Sequence, residues 1–269
     1  MVAELVGGIV SHSLALLADA GHMLSDVAAL GLSLFAAWLS RRPPTPARSY
    51  GFHRTEILAA LANAATLIAI SIWVCVEAWH RFREPPTVLG PVVMMVATGG
   101  LVINLAGMWV LNAGRDDNLN VRGAWLHVAT DALGSVGTII AGALVTYAGV
   151  AWADPAASVG IALLVCWSSW ALLSESLEVL MEGTPSGIDP DAVRDALHAV
   201  PGVQAIHDLH IWSITSGQVS LSAHVAVDGS RADREVLPDL CTRLRERFAI
   251  THVTLQLETD CAAGDALHA

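Results

Sequence analysis

The stretch LALLADAGHMLSDVAALGLSLFAAWL (residues 14–39) decides the fold, because it is long and apolar and yet contains a histidine and two aspartates. A helix of about 20 apolar residues crosses the hydrocarbon core of a bilayer. Four further stretches have similar length and character, at approximately 56–78, 88–112, 121–148 and 155–177. The sequence therefore predicts a bundle of membrane-crossing helices.

The composition also indicates a membrane protein. Of the 269 residues, 54% are hydrophobic and 14% are charged, with a mean hydropathy of +0.55, whereas soluble domains contain about 25% charged residues. Most acidic residues lie in the C-terminal region or in the loops, so the net charge of −11 does not bear on nucleic acid. No basic stripe is present in the sequence to bind nucleic acid, which is not expected as a partner. All 14 basic residues are arginine, so no Walker A lysine is available and a nucleotide-driven pump is not expected.

The arginines predict the orientation of the bundle. Loops one and three contain six of them (Arg41, Arg42, Arg48, Arg54, Arg115 and Arg122), and loop two contains Arg81 and Arg83. Positive charge collects on the cytoplasmic side, which places loops one and three and the C-terminal region in the cytoplasm. Residues 1–13 are apolar but too short to cross, and we expect them to be the remnant of a first helix.

From about Thr184 the sequence becomes polar and its period changes. It predicts a helix over Asp191–Val200 capped by Asp189 or Asp191, strands over Val203–Ile214 and Gly217–Asp228, a helix over Arg231–Phe248 and a strand over His252–Leu257. The αββαβ order is typical of a two-layer α+β domain. The predicted division is a transmembrane domain at 1–182, a second domain at 183–260 and a tail at 261–269. The cysteines (Cys75, Cys166, Cys241 and Cys261) have no metal-binding spacing and are interpreted as apolar fillers or free thiols.

Two histidine–aspartate pairs lie inside the predicted crossing helices: His22 with Asp26, and His127 with Asp131. A spacing of four residues places both side chains of a pair on one helix face. An ionised aspartate at membrane depth costs several kcal/mol unless it is paired. Two carboxylates, two neutral imidazoles and one divalent cation are neutral together and could form a tetrahedral zinc-like site. Protons compete for the same groups, so the pattern favours metal–proton exchange; polar helix–helix contacts are the alternative.

Four stretches resemble the cation diffusion facilitators, in the order that the family has: SLALLADAGHMLSDVAAL (13–30), YGFHRTEILAALANA (50–64), VRGAWLHVATDALGSVG (121–137) and HDLHIWSITSGQVSLSAHV (207–225). The resemblance covers nearly the whole chain and is to the zinc/cadmium/cobalt type. It implies a homodimer with a six-helix membrane domain, a ferredoxin-like cytoplasmic metal-sensing domain, and proton-coupled export of Zn²⁺ or related ions without an organic cofactor. It assigns the transport site to what we call the His/Asp quartet (His22, Asp26, His127 and Asp131).

The resemblance also implies weaker metal sites. His207 and His224 match positions at which relatives bind zinc, and Glu258 could complete a single site, which we call the sheet cluster. Gln256 is a poor zinc ligand, so a two-metal site is not expected. The alternative to a metal site here is that these side chains are ordinary polar residues of the strands. His53 resembles a family position for a second, weaker ion, and a solvated loop histidine is its alternative.

Three further points bear on function. Asp19 lies near the quartet's face of its helix and could guide ions at the outer mouth or cap the helix end. Histidine at position 22 favours Zn²⁺ over Mn²⁺, with Cd²⁺ and Co²⁺ left open. Residues 112–121 contain no histidine, which argues against a metal-loading loop.

The expected protein is an integral membrane protein in contact with lipid, in a bacterial plasma membrane, with a cytoplasmic C-terminal domain. The alternatives are a non-transporting metal sensor or heterodimer partner of the same fold, and an intramembrane metallohydrolase. Catalytic zinc needs an open coordination position, and here four ligands fill the shell and HExxH is absent from the sequence. An enzyme is therefore not expected.

Overall fold

The computed structural model describes residues 1–113 and 119–259. Arg115, Cys261, the predicted tail at 261–269 and residues 114–118 of the histidine-free stretch lie outside the described residues. The chain forms two compact units. The first comprises Met1–Leu32 and Ala62–Leu172, and the second comprises Ser33–Leu61 and Leu173–Ala269.

The membrane part is helical. Its helices are α1 (Val2–Ser11), α2 (Leu14–Ser40), α3 (Thr55–Arg83), α4 (Gly90–Asn112), α5 (Leu119–Ala148) and α6 (Ala153–Leu180). Within the described residues, five of them, α2 to α6, are long and apolar enough to cross a membrane. Large apolar side chains such as Trp109 (81% exposed) and Trp167 (79% exposed) lie on the outside, as expected where the solvent is hydrocarbon. The predicted membrane-crossing helices are confirmed.

Helix α2 packs against other helices of the first unit on more than one side. Leu14 and Ala18 contact α3 and α6, while Leu16 packs against Val93 and Ala97 of α4. The three α2 side chains are buried. These contacts restrict rotation of α2 about its axis and so determine where its polar residues point.

The N-terminus of α2 is capped by Ser13 together with an aspartate of α6. Ser13 Oγ accepts a hydrogen bond from Leu16 N (3.3 Å) and donates one to Asp154 Oδ1 (2.5 Å). Asp154 Oδ2 accepts from Leu14 N at 2.7 Å. A side-chain acceptor at this position satisfies backbone N–H groups that have no partner within the helix. Asp19 is the sixth residue of α2 and takes no part in the cap.

Helix α5 is held tightly against α4. A Cβ atom at Gly90 would lie 2.6 Å from the carbonyl oxygen of Gly142 and even closer to the side chain of Thr146. A glycine is therefore required at this close approach of the two helices.

The C-terminal domain has the predicted αββαβ order. Its elements are α7 (Pro190–His198), β1 (Val203–Thr215), β2 (Gln218–Val227), α8 (Asp233–Phe248) and β3 (His252–Glu258). Strand β2 is central, antiparallel to β1 and parallel to β3. Of the two proposed caps for α7, Asp189 is the one used, because its side chain accepts from Asp191 N at 3.0 Å.

Helices α7 and α8 pack on one face of this sheet. Leu197 of α7, Val225 of β2, and Leu240 and Leu244 of α8 are completely buried in the core. Since successive side chains of a strand point to opposite faces, the neighbour of Val225, His224, lies on the other face of the sheet.

The loop between α2 and α3 contacts the C-terminal domain within the second unit. Arg54 donates to Glu182 at 2.9 Å, and Thr215 Oγ1 donates to Glu56 Oε2 at 2.9 Å. The hairpin end of β1 is therefore hydrogen-bonded to the first turn of α3.

Candidate metal centres

The His/Asp quartet is assembled from facing sides of α2 and α5. His22 Nε2 lies 3.7 Å from Asp26 Oδ2 and 3.7 Å from Asp131 Oδ1. His127 Nε2 lies 3.4 Å from Asp26 Oδ2 and 3.7 Å from Asp131 Oδ2. The four groups thus form a ring in which imidazoles and carboxylates alternate.

The ring is close in size to a tetrahedral zinc shell. Zinc–ligand bonds of about 2.0–2.2 Å give ligand–ligand separations of roughly 3.3–3.6 Å, and the four N···O separations around the ring are 3.4–3.7 Å. His22, Asp26 and His127 each offer one ligand atom, and these three atoms lie within 4.8 Å of one another. Asp131 faces the two histidines with different oxygens, so it must turn one oxygen toward the ion to complete the shell. The donor set, two nitrogens and two anionic oxygens, suits a borderline divalent cation.

The quartet opens on a cavity of about 170 Å³ between α2, α5 and α6. The cavity is lined by His22, His127 and Asp131 of the quartet and also by Asp19 and Thr130. Since a water molecule occupies about 30 Å³ in the liquid, an ion and some of its hydration water fit. The hydroxyl of Thr130 donates to the carbonyl oxygens of its own helix, so it is not needed as a ligand.

The quartet lies near the middle of the membrane-crossing part of α2. His22 and Asp26 are about 12 and 18 Å along the helix axis from Leu14, at 1.5 Å per residue, and α2 has 27 residues. At the same depth, Ser25 Oγ is hydrogen-bonded to Asn63 Oδ1 of α3 at 3.1 Å. Sequence reasoning did not single out Asn63, because one amide in an apolar segment gives no sign of its partner.

The sheet cluster is assembled by strand register. His207 and His224 are paired across β1 and β2, and the parallel strand β3 places Glu258 beside them. His224 Nδ1 lies 2.8 Å from Glu258 Oε1, and His207 Nε2 lies 3.3 Å from Glu258 Oε2. The last two atoms, although 3.3 Å apart, are not in hydrogen-bond geometry, and among the described residues both are buried without another partner. Such atoms are uncommon in folded proteins, and a cation between them would satisfy both.

Asp208 is a neighbouring group that sequence reasoning missed. It has a positive φ of 52° and lies where the β1–β2 register shifts between His207 and His210. Its carboxylate is 2.9 Å from His210 Nε2 and 3.9 Å from His224 Nε2. Strand alternation cannot reveal such a residue, because a bulge changes the face on which the following side chains lie.

Two other candidates are placed differently. His53 lies in the turn before α3 and belongs to neither of the two groups of three metal-ligating side chains found among the described residues. Gln256 donates to Glu258 Oε1 at 2.8 Å; it therefore positions a candidate ligand rather than acting as one.

The fold defines an integral membrane protein with a cytoplasmic C-terminal domain. The cation efflux transmembrane domain matches residues 1–181, and the cytoplasmic domain of cation efflux proteins (ZT_dimer) matches residues 185–260. The chain belongs to the cation efflux, or cation diffusion facilitator, family and is of the zinc/cadmium/cobalt type. The members of this family are metal cation transporters, not enzymes.

Similar proteins include the metal cation efflux system protein CzcD of Cupriavidus metallidurans, with 44% identity over 99% of this chain and 85% of that protein. The cadmium, cobalt and zinc/H(+)-K(+) antiporter of Bacillus subtilis is 44% identical over 98% of this chain and 86% of that protein. Zinc transporter ZitB of Escherichia coli is 41% identical over 100% of this chain and 86% of that protein. A solved structure of the metal-bound C-terminal domain of the CzcD transporter is 47% identical, covering 26% of this chain and 99% of that chain with a TM-score of 0.26.

Proposed function

We propose that this protein exports Zn²⁺ from the cytoplasm in exchange for protons, and that the His/Asp quartet is the transport site. The observation that supports this most is the alternating ring of two imidazoles and two carboxylates, with N···O separations of 3.4–3.7 Å, inside membrane-crossing helices. Similar proteins, among them a zinc transporter and a cadmium, cobalt and zinc antiporter, support the choice of metal.

The chemistry of the quartet supports coupling to protons. When the ion leaves, Asp26 and Asp131 are two negative charges near the middle of the membrane, and such charges are costly unless neutralised. Protons that bind from the outer side of the membrane neutralise the empty site, and the neutral site can then turn back to face the cytoplasm. Because metal and protons bind the same atoms, each displaces the other. Imidazole ligands favour Zn²⁺ over the harder Mn²⁺, and Cd²⁺ and Co²⁺ are alternative substrates.

The deciding experiment is metal-dependent proton flux in proteoliposomes. We expect Zn²⁺ entry to be accompanied by proton movement in the opposite direction, and we expect both fluxes to be lost in His22→Ala and Asp131→Ala. Wild-type rates in these variants would show that the site is elsewhere. Transport of Mn²⁺ without Zn²⁺ would contradict the choice of metal. Zinc binding without any flux would favour the alternative, a metal sensor or heterodimer partner of the same fold.

We also propose that the sheet cluster binds one regulatory Zn²⁺ and that the metal-loaded cytoplasmic domain stabilises a homodimer. The support is the pair of buried, unsatisfied atoms on His207 and Glu258. His53 is proposed as a ligand of a weaker loop site that needs further ligands. The domain division at 182/183 and location in a bacterial plasma membrane belong to the same proposal.

A further inference from the structure

We infer that Asp19 is a metal ligand on the outer side of the quartet, which takes up the ion as it leaves and holds it together with His22 and Asp131. The inference deepens the proposed function and rests on it. It assigns to the exported divalent cation a second, transient position in the same cavity.

Asp19 is a buried carboxylate that faces the quartet's cavity. Its residue is only 7% exposed, and its side chain lines the cavity with His22 and Asp131. No hydrogen bond to this carboxylate occurs within residues 1–113 and 119–259. Neither oxygen is among the fully buried atoms without a partner in the described residues, so the carboxylate is open to the cavity that it lines, where a cation can reach it.

The comparison with Asp154 shows that a buried carboxylate in this bundle need not lack hydrogen-bond donors. Asp154 is even more buried, at 1% exposed, and its two oxygens accept from Ser13 Oγ and Leu14 N. Because Ser13 and Asp154 complete the cap of α2, the capping role that Asp19 could have had is already filled.

The charges around Asp19 favour a cation. The acidic groups that act on it are Glu4 of α1, which is also buried, and Asp131 of α5. The opposing groups are the imidazole of His22 and the N-terminal amine. Glu4 is paired with the N-terminal amine, 2.7 Å from its Oε2, so the uncompensated carboxylates that a cation would meet in this cavity are those of Asp19 and Asp131.

The position of Asp19 gives the transfer a direction. With a cytoplasmic C-terminus after α6 and five crossing helices, the N-terminus of α2 lies on the outer side. Asp19 is three residues before His22, about 4.5 Å outward along the axis and on the same helix side. We infer that the ion exchanges the ligands Asp26 and His127 for Asp19 while His22 and Asp131 stay bound. Among the described residues these three side chains do not form a group with ligand atoms within 4.8 Å of one another, so the exchange requires their side chains to turn toward the ion. Coordination bonds are exchanged and no electrons are transferred.

The test separates the affinity of the quartet from the rate of release. In Asp19→Asn we expect the equilibrium affinity of the purified protein for Zn²⁺ to fall far less than the roughly 100-fold expected for Asp131→Asn, because Asp19 is not one of the four quartet residues. We expect the maximal Zn²⁺ flux in proteoliposomes to fall by about tenfold or more, the effect of about 1.4 kcal/mol on the rate-limiting step. The matched control is Ser168→Ala, which lines the same cavity but donates its hydroxyl to its own helix at Val165 O. This control should keep the wild-type flux.

A second pair of variants distinguishes a ligand from a structural residue. Asp19→Cys supplies a soft thiolate, which prefers Cd²⁺, and should slow the release of Cd²⁺ relative to Zn²⁺. Asp19→Ser should leave the Cd²⁺/Zn²⁺ ratio of release rates unchanged. Wild-type flux in Asp19→Asn, or equal ratios in the cysteine and serine variants, would overturn the inference. If Asp131→Ala also transported, the proposed function itself would fail; if Asp131→Ala were inactive, only the role of Asp19 would be rejected.

Discussion

Neutralising Asp131 should weaken zinc binding by about two orders of magnitude. Each of its oxygens faces a different histidine, with Oδ1 3.7 Å from His22 Nε2 and Oδ2 3.7 Å from His127 Nε2. Asp131→Asn keeps the shape of the side chain, but it leaves the zinc-loaded quartet with one uncompensated positive charge. A charge at the centre of a membrane helix costs about 2.5–3.5 kcal/mol. Since about 1.4 kcal/mol corresponds to a factor of ten, we expect an affinity loss of roughly 100-fold.

The affinity is measured by competition with a chromophoric zinc chelator, using purified full-length protein whose dispersity matches that of the wild type. Thr130→Ala is the matched control, because Thr130 lines the same cavity and its hydroxyl is bonded to its own helix. We expect this variant to bind zinc within about twofold of wild type. If folded Asp131→Asn bound zinc as tightly as Thr130→Ala, Asp131 would not be a ligand and the charge argument would be refuted.

Three further outcomes are expected. Glu258→Gln removes the carboxylate shared by His207 and His224, so the zinc bound per chain should fall by one ion; an unchanged stoichiometry by elemental analysis would contradict the sheet cluster. Leu240→Ala, at a completely buried position, should lower the free energy of unfolding by about 2–5 kcal/mol. The free energy of unfolding is measured by chemical denaturation, and the control is Leu237→Ala at a partly exposed position, which should lower it less. Ser13→Ala removes one cap of α2 and should cost about 0.5–2 kcal/mol, seen as a lower Tm, whereas Ser40→Ala at the exposed end of α2 should not change it.

The main features of the fold could be predicted because they follow from period and polarity. Apolar runs predict α2 to α6, and the change of period after Thr184 predicts the αββαβ domain. The quartet could be proposed because histidine and aspartate are costly inside apolar helices. The predicted ends of helices and strands differ from the observed ends by a few residues. The helix predicted to begin at Arg231, for example, begins at Asp233.

The remaining details depend on contacts distant in sequence. Asp154 caps α2 from 140 residues away, and nothing local to either segment indicates this pairing. Asp208 comes into reach of the sheet cluster through a positive φ of 52°, which strand alternation does not anticipate. Asp19 could act as a helix cap or as an ion-guiding group. The capping role can be rejected only once the structure shows that α2 begins at Leu14 and is capped by Ser13 and Asp154.

The two carboxylates of the quartet have an energetic consequence for export. One Zn²⁺ or two protons on this donor set give the same net charge, so an exchange of one for two is electroneutral. Membrane voltage, which contributes about 2.3 kcal/mol per charge per 100 mV, then does no work on the cycle. The pH gradient alone drives it: two protons per ion supply about 2.7 kcal/mol per pH unit. If the proposed exchange takes two protons per Zn²⁺, one pH unit supports a zinc gradient of about 100-fold.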